Sequence, residues 1–266
     1  MLPYGKIPAR ERMKRGEKLS AAWLHAGSNI TAEVVAGAGF DVAVIDLEHG
    51  HGDIRCLVAQ IQAMQAYPIV PFARAQWNDF VQIKRILDAG AGGLFVPYVN
   101  TRKEAEAAVA AALYPPAGVR GMAASTRAAH FNDNPKEYLR RANAEISVFI
   151  QVETPEAIAN LDAILEIERL DGIVIGPMDL STNMGHFVDP GAPEVQSAIR
   201  GIEAKTLAAG KLLSTISSGW DDAAEKYRRG YSLVMTMSDT TTLGKIGREL
   251  VASFKREFAS QGSVHK

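Results

Sequence analysis

The chain has 266 residues, 47% hydrophobic and 22% charged, which is enough to bury one substantial core or two small ones. Lys+Arg at 29 against Asp+Glu at 30 gives a formal net charge of −1, so charge supplies no reason to expect nucleic acid or an anionic membrane as partner. The single cysteine, Cys56, excludes an internal disulfide, and no Cys/His cluster has zinc-ligand spacing.

No run of about 18 apolar residues reads as a membrane span. The opening stretch MLPYGKIPARERMKRGEKL is basic and polar without an apolar centre, so a cytoplasmic protein is expected rather than a secreted one. Beyond it, short apolar runs alternate with longer segments of helical period. Strands are expected at 20–24, 42–47, 69–74, 93–98, 148–153, 172–176, 212–217 and 233–238. Helices are expected near 30–38, 54–66, 78–89, 102–113, 155–167, 193–209, 221–229 and 240–258. Gly39, Gly90, Gly210 and Gly230 stand where left-handed C-caps would end four of them. The longest irregular stretch runs from Tyr114 to about Asn134 and carries Pro115, Pro116, Gly118 and Gly121.

Eight strand–helix pairs in about 250 residues match a (β/α)8 TIM barrel. The rival is a doubly wound open sheet, which wants a glycine-rich turn after the first strand. Leu24, His25, Ala26, Gly27 and Ser28 do not make one. The expectation is therefore a single barrel domain over residues 1–266, the barrel itself spanning about 20–258.

In such a barrel chemistry collects where the strands end. The second strand reads VAVIDLEHG, whose period of two puts Asp46 and Glu48 on one face with His49 at the lip. The third ends in Arg74, the fifth in Gln151 and Glu153, and the sixth leads into Gly176, Pro177, Met178 and Asp179. Carboxylates gathered at one mouth raise each other's pKa and call for a cation. Arg74 answers part of that need. Glu153 and Asp179, at the ends of consecutive strands, suit a hard divalent ion such as Mg²⁺ or Mn²⁺, with water and a chelating substrate completing the shell. The alternative is a carboxylate cluster paired with Arg74 alone.

The Gly-Pro-Met-Asp run also reads as the start of a short helix. Its N–H groups at Met178 and Asp179 could receive a substrate carboxylate, or Asp179 could be an ordinary cap. His49 beside two carboxylates is a candidate general base, or a plain surface residue. The other histidines, His25, His51, His130, His186 and His265, fall in predicted loops or tails. No lysine stands at a strand's C-terminal end, and Lys211 precedes its strand, so imine chemistry is not expected.

At these residues the sequence resembles the HpcH/HpaI family of class II, metal-dependent pyruvate aldolases. The resemblance rests on AGAGFDVAVIDLEHG (36–50), WNDFVQIKRILDAG (77–90), YPPAGVRG (114–121), IQVETPEAIANL (150–161), IGPMDLSTNMG (175–185), PEVQSAI (193–199) and DTTTL (239–243). It implies a barrel in which Glu153 and Asp179 hold a divalent metal (Mg²⁺, Mn²⁺ or Co²⁺) and pyruvate chelates it with Arg74 beside the keto oxygen. It implies His49 as base, paired with Asp88, and Gln151 and Glu48 as groups that hold metal-bound water, with Asp46 beside them. It implies reversible cleavage of a 4-hydroxy-2-oxoacid to pyruvate and an aldehyde, and a homohexamer built as a trimer of dimers that exchange their last helices. Trp23 would line the aldehyde side. Met178 stands where the family carries a small alanine, Ser238 where it carries valine, and Arg127 lies in a segment shifted from the family's arginine-rich version.

Two other functions fit the same residues. One is a related carbon–carbon lyase acting on a CoA ester, or a decarboxylating relative, although no basic patch for a nucleotide stands out. The other is a barrel that binds pyruvate without turning it over.

Overall fold

The structure, a computed structural model, describes residues 7–258. Helix α1 (Ala9–Lys14) precedes the first strand, and eight strands follow: β1 (Leu19–Leu24), β2 (Val42–Asp46), β3 (Val70–Arg74), β4 (Gly93–Val96), β5 (Ser147–Val152), β6 (Gly172–Ile175), β7 (Leu212–Ile216) and β8 (Leu233–Ser238). Each pairs in parallel with the next, and β8 closes on β1 with one shift of register between Ala21 and Ala22. The closed eight-stranded parallel barrel is the (β/α)8 architecture expected from the alternation.

The helices are α2 (Asn29–Gly37), α3 (Ile54–Ala63), α4 (Phe80–Asp88), α5 (Arg102–Ala112), α6 (Pro135–Glu145), α7 (Pro155–Ala159), α8 (Leu161–Leu165), α9 (Pro177–Asn183), α10 (Pro193–Ala208), α11 (Trp220–Arg228) and α12 (Asp239–Phe258). Their starts follow ordinary capping chemistry: Ser28, Asp53 and Asp79 each accept backbone N–H groups of the first turn, and Thr101 forms a capping box with Glu104.

The differences from the sequence expectation have local causes. Strand β4 stops at Val96 because Pro97 offers no N–H and Tyr98 turns to a left-handed φ of 55°. The segment expected as one helix over 155–167 divides at Asn160, whose side chain donates to the Asn100 carbonyl at 2.9 Å. Helices α1 and α6 are additions. The first lies against the barrel's lower end, with Ala9 and Met13 buried and Arg10 Nε donating to Asp171 Oδ1 at 2.7 Å.

Two apolar layers follow from the alternation along the strands. Outward-facing residues such as Ile45, Leu94 and Ile173 pack under the helices. Inward-facing Val42, Val44, Val70, Phe72, Phe95, Phe149 and Val174 fill the barrel. The rings of Phe72 and Phe95 meet edge to face at 6.0 Å between centroids, and Phe95 and Phe149 at 5.5 Å. Gly93 is required by this packing, since a Cβ there would stand 2.4 Å from the Phe72 ring. The barrel is therefore solid below, and only its upper end is open to chemistry.

The last helix behaves differently from the rest. Along α12 only Asp239 is buried, while Leu243, Ile246, Leu250, Val251, Phe254 and Phe258 are half or more exposed. No helix among the described residues is long and apolar enough to cross a membrane.

Candidate active site

Adjacent strands β2 and β3 bring Asp46 and Arg74 into register at their last residues. Arg74 Nε donates to Asp46 Oδ1 at 2.8 Å and Nη2 to Oδ2 at 2.6 Å, while Nη1 stands 2.9 Å from Glu48 Oε2. The guanidinium carbon lies 4.7 Å from the Trp23 ring centroid, and the indole Nε1 donates to Asp46 Oδ2 at 3.3 Å. Asp46 also accepts the backbone N–H groups of Glu48 and His49, so it fixes the turn that follows its own strand. Burial opposes its charge, but His25 and Arg74 outweigh that and hold the carboxyl far below the usual range.

Glu153 follows β5 and is 2% exposed. Its Oε1 accepts the Tyr98 N–H at 2.7 Å, and its Oε2 accepts Gln151 Nε2 at 2.8 Å. Burial first, then the negative charges of Asp179 and Glu48, push Glu153 up to about 7 against those hydrogen bonds. Burial also raises Glu48, with Asp46 and Asp179 adding to it and Arg74 opposing. Two raised carboxyls at one mouth favour the binding of a positive charge there.

Helix α9 carries Asp179 in its first turn. Gly176 caps it without a side chain, and a Cβ there would stand 2.6 Å from Glu153 Oε2. Glycine thus lets the buried carboxylate lie against the start of α9. Met178 and Asp179 have first-turn N–H groups with no carbonyl one turn back.

These groups border one cavity of about 140 Å³, lined on its polar side by His25, Arg74, Gln151, Glu153 and Asp179 and on its apolar side by Trp23, Val174, Met178, Ile216 and Met235. Among the described residues no group of three or more His, Cys, Asp or Glu forms a ready-made metal cage. The Glu153 and Asp179 carboxylates on one cavity and the buried, unpartnered Gln151 Oε1 nonetheless fit a hydrated hard cation, which is held by one or two carboxylates plus water and substrate.

The structure gathers Asp46, Glu48, Arg74, Gln151, Glu153, Met178 and Asp179 at the mouth. His49 stands at the lip with its side chain 66% exposed, its Nε2 4.0 Å from Glu48 Oε1. Asp88 does not join it. As the last residue of α4, which runs back down the barrel from the end of β3, Asp88 sits at the opposite end and is held by Arg120 Nη2 at 2.6 Å. Arg127 is buried at that same lower end, where it donates to the Ala89 carbonyl at 3.0 Å. His265 lies outside the described residues.

Three groups at the mouth escaped the sequence reading. His25, expected in a loop, lines the cavity with Nε2 3.1 Å from Asp46 Oδ2. Tyr98 supplies Glu153 with a backbone donor, and Asn183 Nδ2 donates to the Glu153 carbonyl at 3.0 Å. A histidine directly after the first barrel strand was the one available signal.

Fold and site together define a barrel enzyme whose mouth pairs acidic groups with one fixed arginine. The sequence profile described as HpcH/HpaI aldolase/citrate lyase matches residues 19–245, and the chain belongs to that family, an enzyme of the carbon–carbon lyase class. A protein named 4-hydroxy-2-oxo-heptane-1,7-dioate aldolase from Salmonella dublin is 41% identical over 93% of this chain and 94% of its own. A crystal structure of an HpcH/HpaI aldolase/citrate lyase family protein from Burkholderia cenocepacia J2315 superposes with a TM-score of 0.87 at 32% identity, covering 92% of this chain and 98% of that one. The citrate synthase SbnG superposes with a TM-score of 0.84 at 28% identity, covering 96% and 99%. A citrate lyase beta subunit from M. tuberculosis, complexed with oxaloacetate and magnesium, shares the fold at a TM-score of 0.55 and 15% identity over 85% and 94% of the two chains.

Proposed function

We propose that the chain catalyses the reversible, metal-dependent cleavage of a 4-hydroxy-2-oxoacid into pyruvate and an aldehyde. The observation that carries this reading is the convergence of Glu153, Asp179 and Arg74 on one cavity with an apolar far wall. Glu153 and Asp179 would hold a divalent cation (Mg²⁺, Mn²⁺ or Co²⁺), which when bound supplies Lewis-acid polarisation of the oxoacid. The magnesium carried by the distant citrate lyase beta subunit supports that choice of ion.

The chain's own groups do the rest. Three of the five N–H groups of the Arg74 guanidinium are committed to Asp46 and Glu48, and the remaining ones are left for the keto oxygen at C2. In the cleavage direction a base takes the proton of the C4 hydroxyl and C4 becomes the aldehyde carbonyl. The C3–C4 bond breaks, and its electron pair moves toward the C2 oxygen as an enolate. Arg74 stabilises that growing charge with donors already in place. A proton delivered to C3 then gives the methyl group of pyruvate. His49, exposed at the lip, carries the proton through water. The N–H groups of Met178 and Asp179 receive the substrate carboxylate, and Trp23, Val174, Ile216 and Met235 keep bulk water from C3.

The same reading accounts for α12. Its apolar stripe at Leu243, Ile246, Leu250, Phe254 and Phe258 recurs every three or four residues and is covered when two copies exchange this helix within a homohexamer. The aldehyde tail is left open by the site. Two measurements test the reading: a cleavage screen over 4-hydroxy-2-oxoacids of different tails with each metal, and exchange of pyruvate methyl protons in D2O. Metal-dependent cleavage and exchange are expected. Pyruvate binding without exchange would instead mark a binding barrel.

A further inference from the structure

His25 is engaged at every polar atom it has. Its N–H donates to Asp239 Oδ1 at 2.9 Å, and its carbonyl accepts from the His51 N–H at 2.9 Å. In the ring, Nδ1 is 3.0 Å from Ser238 Oγ and Nε2 is 3.1 Å from Asp46 Oδ2. The residue thereby ties together the end of β1, the turn after β2 and the junction of β8 with α12. Its side chain is 25% exposed and forms part of the cavity wall.

The ring's Nε2 donates to Asp46. An ionised Asp46 can only accept, so Nε2 carries a proton, and Nδ1 is in hydrogen-bond contact with the Ser238 hydroxyl. The order Ser238–His25–Asp46 is also that of an acyl-transfer triad, but the constellation is not built for attack. Ser238 is 5% exposed, its Oγ lies 3.2 Å from Thr240 Oγ1, and Asp46 is committed to Arg74 through both oxygens. A nucleophile needs open access to substrate, and this serine is buried with its hydroxyl engaged by His25 and Thr240.

We propose that His25 is a positioning residue: buttressed by Ser238, it holds Asp46 in the orientation that aims the Arg74 guanidinium into the cavity. Asp46 Oδ2 receives Arg74 Nη2, Trp23 Nε1 and His25 Nε2 from three directions, so removing the histidine loosens the carboxylate on that side and lets Arg74 shift with it. Groups facing His25 are Asp46 and Asp239 by charge, Ser238 by hydrogen bond and the Trp23 ring at 5.7 Å between centroids. The role given to Arg74 rests on the proposed aldol chemistry. The placement of its side chain does not.

The test compares His25→Ala, His25→Gln and Ser238→Ala by steady-state cleavage, by thermal unfolding and by the side-chain ¹⁵N–H resonance of Arg74 Nε in substrate-free protein. His25→Ala is expected to lose about 10- to 100-fold in kcat with KM for the oxoacid little changed, and the Arg74 resonance loses its protection from exchange. His25→Gln, whose amide N–H can reach Asp46, regains most of both, and Ser238→Ala falls between. Unchanged kcat and an unchanged Arg74 resonance in His25→Ala overturn the proposal. So does a folded His25→Gln as impaired as a folded His25→Ala. If His25→Ala does not fold, His25→Gln alone decides: retained kcat and protection support the role, and their loss overturns it. Should the wild type cleave no oxoacid, the aldolase reading fails, and the Arg74 resonance still decides the role of His25.

Discussion

Arg74 meets Asp46 edge to edge, with Nε on Oδ1 at 2.8 Å and Nη2 on Oδ2 at 2.6 Å, both partners being nearly sealed from solvent. A two-pronged contact fixes the plane of the guanidinium as well as its position. Lysine cannot reproduce it, because an ammonium offers one point of charge rather than a fork. Arg74→Lys should therefore fold and yet lose about 10²- to 10³-fold in kcat, read from steady-state cleavage. Asp46→Asn leaves a buried guanidinium with Glu48 as its one remaining anion. It should cost about 3–5 kcal/mol of stability in denaturant unfolding as well as activity.

Gly176 is a sharper probe of the acidic pair. A methyl group there would stand 2.6 Å from Glu153 Oε2, and the obstacle would be a buried carboxylate with its own hydrogen bonds. Gly176→Ala should displace Glu153 and weaken Mn²⁺ binding by about 10- to 100-fold in calorimetry. The barrel should still form, since β6 ends one residue earlier.

The pH dependence of the metal-free protein follows from Glu153. Its pKa rises on folding from 4.5 to about 7, so the folded state binds this proton more tightly than the unfolded chain. Its contribution to stability is full below about pH 4.5 and is lost as pH rises through 7. The melting temperature of metal-free protein should decline across that interval. Glu153→Gln should shrink the decline, leaving the part that the raised Glu48 adds, and Mg²⁺ should raise the melting temperature of the wild type above pH 7 but not that of the variant. Asp46, held ionised far below this window, adds no slope there.

The exposed stripe on α12 predicts assembly. Leu250→Glu with Phe254→Glu places two charges on a face where the wild type presents Leu250 at 67% and Phe254 at 63% exposure. Sedimentation should show the wild type as an oligomer and the double variant as a smaller species. An unchanged oligomer would show that α12 is not the contact.

The eight strands were legible because each is a short β-branched or apolar run followed by a helical segment, and Asp46, Arg74, Glu153 and Asp179 were legible because each stands at or just after a strand's end, Asp179 in the first turn of α9. His25 was not, because Ser238, its partner across the closure of the barrel, is 213 residues away in sequence. Tyr98 was not, because its part is played by a backbone N–H aimed by a positive φ that no side-chain pattern announces. Asp88 was joined to His49 through a family resemblance rather than through geometry. Within one chain α4 carries it to the far end of the barrel, where Arg120 takes its charge.

Metal-dependent cleavage through Glu153 and Asp179 is tested most directly by following pyruvate release from 4-hydroxy-2-oxo-heptane-1,7-dioate and oxoacids with other tails while the metal is withdrawn and restored. Release is expected with Mg²⁺, Mn²⁺ or Co²⁺, with loss on adding EDTA and return with excess metal, and none of this in Glu153→Ala. Release that continues undiminished in EDTA, or in Glu153→Ala, would contradict it.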